Sequence, residues 1–287
     1  MTLTTTRTLL TDAYAAGTGI GAFNVVSLET AEGLVSASER AGLGVILQIS
    51  ENCAKYHGSL EPLARAVLAL AASATTPVSV HLDHAEDEGL ALEAIDLGFS
   101  SVMYDGAALP YDENVAATRR VVDRAHAADV LVEAELGTIG GKDGAHAPGV
   151  RTDPDEARTF VSDTGVDALA VAVGSSHAMT DRVAALDLEL IASIRSTLDV
   201  PLVLHGSSGV ADETLVAAIR SGMTKINVST HLNGFYTRAA REVLDSDPSI
   251  VDPRTYLTPA RDALSREAAR LLTLFATGGE GSTDEPR

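Results

Sequence analysis

Short apolar runs alternate with longer amphipathic stretches along most of the chain. The apolar runs are rich in Val, Ile and Leu, which is typical of buried parallel strands. They predict eight strands, at Gly21–Val26, Gly44–Ile49, Val78–Leu82, Ser101–Tyr104, Leu131–Leu136, Ala168–Val173, Pro201–Leu204 and Thr224–Val228. The stretches between them predict helices at Ser27–Ala41, Glu61–Ala74, Ala85–Leu97, Asp112–Ala128, Asp153–Thr164, Asp187–Leu198 and Asp212–Ser221.

This alternation of strands and helices indicates right-handed βαβ units and a parallel sheet. Eight such units in 287 residues fit a closed α/β barrel, the (β/α)8 TIM barrel, better than an open sheet. No change of composition marks a domain boundary, so we expect one barrel domain over residues 1–276 that includes a C-terminal helical segment. Residues 277–287 are rich in Gly, Ser, Asp, Glu and Pro and predict a disordered tail.

The charge and composition of the chain disfavour several classes of binding partner and of metal site. The net charge of -19 disfavours binding to nucleic acid or to anionic membranes. Cys53 is the only cysteine, which excludes an intramolecular disulfide and a metal site built from cysteines. The sequence shows no secretory signal and no apolar run long enough to span a membrane. We therefore predict a cytoplasmic protein.

Polar residues follow nearly every predicted strand. In a TIM barrel the active site lies at the C-terminal ends of the strands, so these positions are the candidates for chemistry. They are Asn24, Ser50, Asp83 and His84, Asp105, Glu135, Ser176 and His177, His205 and Gly206, and Asn227 to Thr230. A barrel with a purely structural role would not need this pattern.

Three of these positions are histidines, His84, His177 and His205, at the ends of the third, sixth and seventh strands. Three neutral imidazoles bind zinc and leave a fourth position open for a substrate. The sequence therefore predicts a catalytic zinc site. His81, two residues before Asp83, is interpreted as a buried residue with hydrogen-bond partners in the core.

Three acidic residues accompany the histidines, and the residues themselves leave their roles open. Asp83 is a candidate metal ligand, a group that orients a ligand, or a general acid or base. Asp105 and Glu135 are candidates for a second metal position or for hydrogen bonds to the imidazoles. The structural alternatives are a helix cap for Asp105 and a helix-dipole partner for Glu135.

The segments after the seventh and eighth strands predict a phosphate site. Barrels commonly hold phosphate there, and the glycines of His205–Gly209 would let backbone N–H groups approach an anion. For each segment alone, a turn with a helix cap is an equally good interpretation. The glycine-rich Gly17–Gly21 precedes a strand instead of following one, so it does not support a dinucleotide site.

These motifs resemble the class II fructose/tagatose-bisphosphate aldolases. The likeness extends from Phe23 to Leu257, in the family's order, and is carried by His81–His84, Ser101–Gly106, Glu133–Gly137, Ala172–His177, Leu204–Gly209 and Lys225–Thr230. The resemblance implies reversible retro-aldol cleavage of a fructose- or tagatose-1,6-bisphosphate to dihydroxyacetone phosphate and an aldehyde, through an enediolate that zinc stabilises. It also implies a phosphorylated sugar as substrate, a homodimer or homotetramer, and a monovalent cation, Na⁺ or K⁺, beside the phosphate.

The resemblance assigns roles to single residues. Asp83 is the proton donor, His84, His177 and His205 bind the catalytic Zn²⁺, and Asp105 and Glu135 contact a second metal position. The residues implied to bind substrate are Asn24, Ser50, Ala178, Gly206, Ser207, Ser208, Asn227, Val228, Ser229 and Thr230.

Three positions depart from the family pattern. Ala178 stands where a glycine usually follows the histidine, and Thr180 stands where a tyrosine is common. The loop Gly137–Gly149 is expected to be mobile, and its usual Gly-Gly-X-Glu-Asp is Gly140–Gly144 here. We expect Asp143 to replace the loop carboxylate that acts as a catalytic base in relatives.

Three alternatives remain at this point. A Schiff-base aldolase would need an inward-facing lysine, for which Lys225 is in phase with Asn227. A metal-dependent hydrolase on the same barrel would use zinc-bound water, which leaves the phosphate segments unexplained. A catalytically silent paralogue that binds metal and phosphate is supported only by Ala178 and the altered loop.

Overall fold

The described strands close into a parallel barrel in sequence order, and β1 pairs with both β2 and β8. The structure is a computed structural model that describes residues 3–136, 151–177 and 179–278. The strands are β1 (Ile20–Asn24), β2 (Val45–Ser50), β3 (Val78–Ala85), β4 (Ser101–Tyr104), β5 (Leu131–Leu136), β6 (Ala168–Val171), β7 (Leu202–Leu204) and β8 (Met223–Val228). The predicted (β/α)8 architecture is confirmed.

The helices of the described residues lie between and after these strands. They are α1 (Thr6–Ala16), α2 (Leu28–Ala41), α3 (Glu51–His57), α4 (Glu61–Ser73), α5 (Glu88–Leu97), α6 (Tyr111–His126), α7 (Pro154–Thr164), α8 (Leu188–Thr197), α9 (Asp212–Arg220), α10 (Thr230–Ser246) and α11 (Arg254–Ala276). The predicted start of α7 is confirmed, with Asp153 as its N-cap and Pro154 in its first turn. One predicted boundary is wrong, because Ala85 belongs to β3 and α5 begins at Glu88.

Helix α1 was not predicted, and it covers the N-terminal end of the barrel. Its Leu9 and Leu10 belong to a buried cluster with Ile46 and Met103 from the barrel strands. Thr6 is fully buried and donates a hydrogen bond to Ser79 in β3 (Oγ1 to Oγ, 3.0 Å). The opposite end of the barrel is therefore the one left open to a ligand.

A larger apolar cluster lies between the strands and the surrounding helices. It includes residues of β1 to β8 and of α11, where Phe23 and Phe275 pack with their ring centroids 6.5 Å apart. Within the described part of the chain, no helix has the length and apolar character needed to cross a membrane. From residue 279 onward, the predicted tail lies outside the described residues.

Candidate active site

An open cleft of about 250 Å³ lies at the C-terminal ends of the strands. Its lining comprises Asn24, Gln48, Ser50, Asn52, Asp83, His84, His177, Gly206, Ser208, Asn227, Ser229 and Thr230. Strand-end residues that are distant in sequence thus share one cavity, as the barrel prediction required.

The three predicted histidines converge at this cleft. One ring nitrogen from each of His84, His177 and His205 lies within 4.8 Å of the others. Nδ1 of His205 is 2.7 Å from Nε2 of His84, and the rings of His84 and His177 have centroids 5.0 Å apart. Three imidazoles whose nitrogens lie this close together could serve as the donor set of a catalytic zinc site. The side chains present therefore fit zinc.

An irregularity in β3 presents two consecutive side chains to the cleft. Successive residues of a regular strand point to opposite faces. Here the register of β3 against β4 shifts between Leu82 and Ala85, and His84 has a positive φ of 49°. As a result Asp83 and His84 both line the cleft. A non-glycine residue in this backbone region is strained, and such strain is often found at functional sites.

Asp83 lies beside the imidazoles and accepts two amide hydrogen bonds. Asn24 Nδ2 donates to its Oδ2 (2.9 Å), and Asn227 Nδ2 donates to its Oδ1 (3.4 Å). Burial by itself would raise the pKa of Asp83. Nearby positive charge, at His84 first, and the hydrogen bond from Asn24 together outweigh burial and lower the pKa of Asp83 to about 2. The carboxylate is therefore ionised at neutral pH.

Asp105 and Glu135 form a second group with His84. Nδ1 of His84 donates to Oδ2 of Asp105 (2.8 Å), and ligand atoms of all three residues lie within 4.8 Å of one another. Burial would lower the pKa of His84, but Asp83, Asp105 and Glu135 raise it to about 9. The N-cap residue of α6 is Pro110, so Asp105 does not cap that helix. The geometry matches both sequence-based interpretations of this pair: a second metal position, and an orienting bond to His84.

The segments after β7 and β8 meet at one side of the cleft. Gly206 has φ 67°, and a Cβ on it would lie 2.7 Å from backbone atoms of Ser176. Ser208 Oγ accepts hydrogen bonds from the N–H groups of Ser229 (3.4 Å) and His231 (3.2 Å). Helix α10 begins at Thr230, so the N–H groups of its first turn lie at the same side.

Not every candidate is at the cleft. The Ser207 hydroxyl donates to the carbonyl of Leu204 (3.0 Å), and neither Ser207 nor Val228 is part of the described lining. The Ser50 hydroxyl caps α3 by accepting from Cys53 N–H (3.2 Å), although Ser50 does line the cleft. Asp143 and Ala178 lie outside the described residues.

Two lining residues were missed by the sequence reasoning, Gln48 and Asn52. Gln48 Nε2 donates to Asn24 Oδ1 (2.8 Å), which joins β2 to the Asp83 network. Its position two residues before Ser50, inside an apolar run, was the available signal, because alternate residues of a barrel strand face inward. Asn52 had no such signal, since the short helix α3 that carries it was not predicted.

Lys225 points into the barrel but does not reach the cleft. Its Nζ is fully buried and pairs with Oε2 of Glu133 at 2.7 Å. An amine that forms a Schiff base must meet the substrate carbonyl. The described lining of the cleft contains no lysine, which argues against the Schiff-base alternative.

Comparison with known proteins identifies relatives along the whole chain. The family model "Fructose-bisphosphate aldolase class-II" matches residues 4–280. A fructose-bisphosphate aldolase of Staphylococcus aureus (strain Mu50) is 38% identical over 281 residues, which cover 96% of this chain and 98% of the relative. One from Geobacillus stearothermophilus is 37% identical, over 98% of this chain and 100% of the relative.

A solved aldolase structure is also similar to this chain. The crystal structure of the YdjI aldolase from Escherichia coli K12 superimposes with a TM-score of 0.84 and 32% sequence identity. The match covers 98% of this chain and 100% of the other.

Proposed function

The chain belongs to the class II fructose-bisphosphate aldolase family, and we propose that it cleaves and forms a ketose bisphosphate in the cleft above its three imidazoles. It is a zinc-dependent aldehyde-lyase by family, and phosphorylated sugars are the family's substrates. The observation that carries the proposal is the convergence of His84, His177 and His205 beside an ionised Asp83.

The three imidazoles are the residues that would hold zinc, and Asp105 and Glu135 would offer a second position through their shared neighbour His84. When bound, zinc supplies a Lewis acid that draws electrons from the ketone oxygen of the substrate. The carboxylate of Asp105 orients His84 by accepting from its Nδ1, which leaves Nε2 facing the other two rings.

Asp83 is the group we assign to proton transfer. In cleavage its ionised carboxylate would take the proton of the C4 hydroxyl, and in condensation it would return that proton to the aldehyde oxygen. Asn24 and Asn227 hold both carboxylate oxygens in place, so the acceptor is already oriented before substrate arrives.

The phosphate of the dihydroxyacetone half would be held by the residues of the two segments that line the cleft, Gly206 and Ser208 after β7 and Asn227, Ser229 and Thr230 after β8. The described lining contains no lysine or arginine, so hydroxyl groups and backbone N–H groups at the start of α10 would bind the anion. Gly206 supports this role because its backbone is not screened by a side chain. A monovalent cation, Na⁺ or K⁺, is proposed beside this phosphate.

Several finer assignments stay predictions. They are the roles of Asp143, Ala178 and Ser50, a homodimeric or homotetrameric assembly, and a cytoplasmic location. Light scattering in solution would measure the assembly, and activity in potassium against tetramethylammonium buffer would test the cation.

A coupled retro-aldol assay tests the main proposal. The protein is given fructose-1,6-bisphosphate, tagatose-1,6-bisphosphate and other epimers, before chelation, after chelation and after zinc is restored. We expect cleavage of at least one bisphosphate that chelation abolishes and zinc restores. Zinc-loaded protein that binds dihydroxyacetone phosphate but cleaves no ketose would contradict it, and borohydride trapping of substrate would indicate a Schiff base instead.

A further inference from the structure

A layer of polar side chains lies inside the barrel directly below the three imidazoles. His81, Glu133 and Lys225 are fully buried there. They precede Asp83, Glu135 and Asn227 by two residues in β3, β5 and β8, so they face the barrel interior one layer further from the cleft. With Ser101 and Thr6, which continue the same hydrogen-bonded chain, we call these residues the buried array.

The ion pair at the centre of the buried array is costly to bury. Lys225 Nζ lies 2.7 Å from Glu133 Oε2 and 3.3 Å from His81 Nε2. Barrel interiors are usually filled with branched apolar side chains. Apolar residues in place of a buried ion pair often give equal or greater stability. Stability is therefore a weak reason for these charges, and a geometric role is the better one.

Glu133 connects this ion pair to the imidazole cluster. Its second oxygen, Oε1, lies 3.1 Å from Nε2 of His205. An ionised carboxylate only accepts hydrogen bonds, so Nε2 of His205 carries the proton in this contact. The amide nitrogen of Asn227 lies 3.2 Å from the same Nε2 and, being a donor itself, donates to Asp83 instead. The other nitrogen of His205, Nδ1, faces Nε2 of His84 at 2.7 Å. That nitrogen is then the one with a free lone pair, as a metal ligand requires.

The lower half of the buried array fixes Lys225 from the other side. Nδ1 of His81 contacts Ser101 Oγ at 2.7 Å, and Ser101 Oγ donates to Thr6 Oγ1 at 2.7 Å. With His81 donating to Ser101, its Nε2 accepts from Lys225. Burial lowers the pKa of His81 well below its ordinary value, which keeps the ring neutral and able to accept. Each contact along the chain thus has one defined donor and one defined acceptor.

We propose that Glu133 and Lys225 are positioning residues: their ion pair holds the Glu133 carboxylate where it accepts from Nε2 of His205, and so presents Nδ1 of His205 to the metal site. This inference rests on the proposed function only in taking His205 as a zinc ligand. Neither residue touches the cleft, so neither is assigned a step in the reaction.

The test compares metal binding and folding in the full-length protein. Zinc affinity is measured by competition with a chromogenic chelator, and the ligand field by the visible spectrum of the cobalt-substituted protein. The variants are Glu133→Gln, Lys225→Met and the double variant that carries both changes. Thermal melting of each variant without added metal reports its folding.

We expect each single variant to bind zinc 10- to 100-fold more weakly, in the range typical of partners that orient metal ligands, and to shift the cobalt spectrum. The double variant leaves no unpaired charge in the core, so it should melt closer to wild type than either single variant. Its zinc affinity should nevertheless stay at least about tenfold below wild type, because the ionised acceptor for His205 is gone.

Glu133→Asp is a further variant, which keeps the test possible if the other three do not fold. It keeps the charge that balances Lys225, but its carboxylate is one methylene shorter and draws away from His205. We expect a folded protein with at least about tenfold weaker zinc binding.

Asp167→Asn is the matched control. Asp167 also bridges a cation and a histidine, Arg7 (2.8 Å) and His126 (2.9 Å), but remote from the cleft. It should leave zinc affinity and the cobalt spectrum as in wild type.

The outcomes separate two failures. Wild-type protein that binds no zinc would overturn the proposed function and this inference with it. Wild-type protein that binds zinc, with folded Glu133 and Lys225 variants that match its affinity and cobalt spectrum, would overturn only the positioning role.

Discussion

The cleft and the buried array are built from the same strands, two residues apart, yet they differ in whether their buried polar atoms have hydrogen-bond partners. Two buried acceptors at the cleft, Gln48 Oε1 and Asn227 Oδ1, have no hydrogen-bond partner. Among the described residues, no side-chain atom of the buried array is left in that state. Buried polar atoms are normally paired, so an unpaired acceptor facing a cavity is available to a donor from solvent or from a ligand. The array pairs its own polar atoms, whereas the cleft leaves two acceptors without a partner in the protein.

The largest expected effect is a loss of turnover when the Asp83 carboxylate at the cleft is replaced. Asp83→Asn keeps the size of the side chain but removes the proton acceptor. Steady-state retro-aldol kinetics should show kcat lower by about 10²- to 10⁴-fold, while the zinc content stays at the wild-type level.

Asp87→Asn is the control for this change. Asp87 is close in sequence, but its carboxylate caps α5 by accepting from Gly89 N–H (2.7 Å). Asn caps a helix as well as Asp does, so that variant should change stability by less than about 0.5 kcal/mol and keep its kcat. A kcat within tenfold of wild type for Asp83→Asn would show that another group moves the proton.

The next effect tests how tightly the cleft wall is packed. In Gly206→Ala the new methyl group would lie 2.7 Å from the backbone of Ser176, the residue before His177. Backbone atoms cannot move aside as a flexible side chain can, so the imidazole cluster and the proposed phosphate segment must shift. A displacement of about 1 Å can cost about 100-fold in rate, and we expect kcat/KM to fall by about that factor.

Gly42→Ala separates packing from backbone strain. Gly42 caps α2 with φ 65°, close to the 67° of Gly206, but a Cβ on it would meet nothing within 4 Å. Both variants carry the strain of a left-handed alanine, about 1–2 kcal/mol. Equal losses of kcat/KM in the two would mean that the contact with Ser176 is unimportant.

The sequence predicts the cleft better than it predicts the buried array. Residues such as His84 and His205 stand out because a polar side chain ends an apolar strand. His81 and Glu133 lie inside the strands, where sequence spacing does not show which partner they meet across the barrel. The pairing of Glu133 with Lys225 depends on barrel closure, which joins strands 92 residues apart.

The position of α1 and the strained backbone of His84 also depend on contacts between distant segments, so the sequence did not predict them. Thr6 is buried only because α1 folds under the barrel, and nothing in the apolar pattern of α1 specifies that position. The positive φ of His84 results from the register shift in β3. Strand propensity would not indicate it.

A third prediction addresses the far end of the buried array. Thr6 accepts from Ser101 Oγ (2.7 Å) and donates to Ser79 Oγ (3.0 Å), so Thr6→Val replaces a hydroxyl with a methyl group and leaves buried hydroxyls unpaired. Urea denaturation should show a loss of about 1–3 kcal/mol in the free energy of unfolding. Thr11→Val, an exposed position of the same helix, should change it by less than about 0.5 kcal/mol. Similar losses in both would mean that helix propensity, not the buried hydroxyl, accounts for the effect.

The last prediction concerns a partly exposed group of ion pairs beside the cleft, centred on Glu267. Glu267 in α11 accepts from His231 Nε2 (2.7 Å) and from Arg270 Nη2 (2.7 Å), and the backbone N–H of His231 in turn donates to Ser208 at the cleft. Unlike the fully buried pair of Lys225 and Glu133, this group is partly exposed, with 43% of the Arg270 side chain accessible. Ion pairs at the cleft side should therefore respond to the pH of the solution.

The sign of that response follows from the pKa of Glu267. Burial would raise it, but the hydrogen bonds from His231 and Arg270 lower it from 4.5 to about 2. A carboxyl group with a lowered pKa stabilises the fold above its unfolded pKa and loses that contribution as the pH falls toward the folded value.

The free energy of unfolding of wild type should exceed that of Glu267→Gln by on the order of 2 kcal/mol near neutral pH. Urea denaturation should show the gap narrowing between about pH 5 and about pH 3. Glu61→Gln removes an exposed pair with Arg65 and should show a difference below about 1 kcal/mol throughout. A gap for Glu267→Gln that stays constant to about pH 3 would mean that packing of the side chain, and not its charge, supports this side of the cleft.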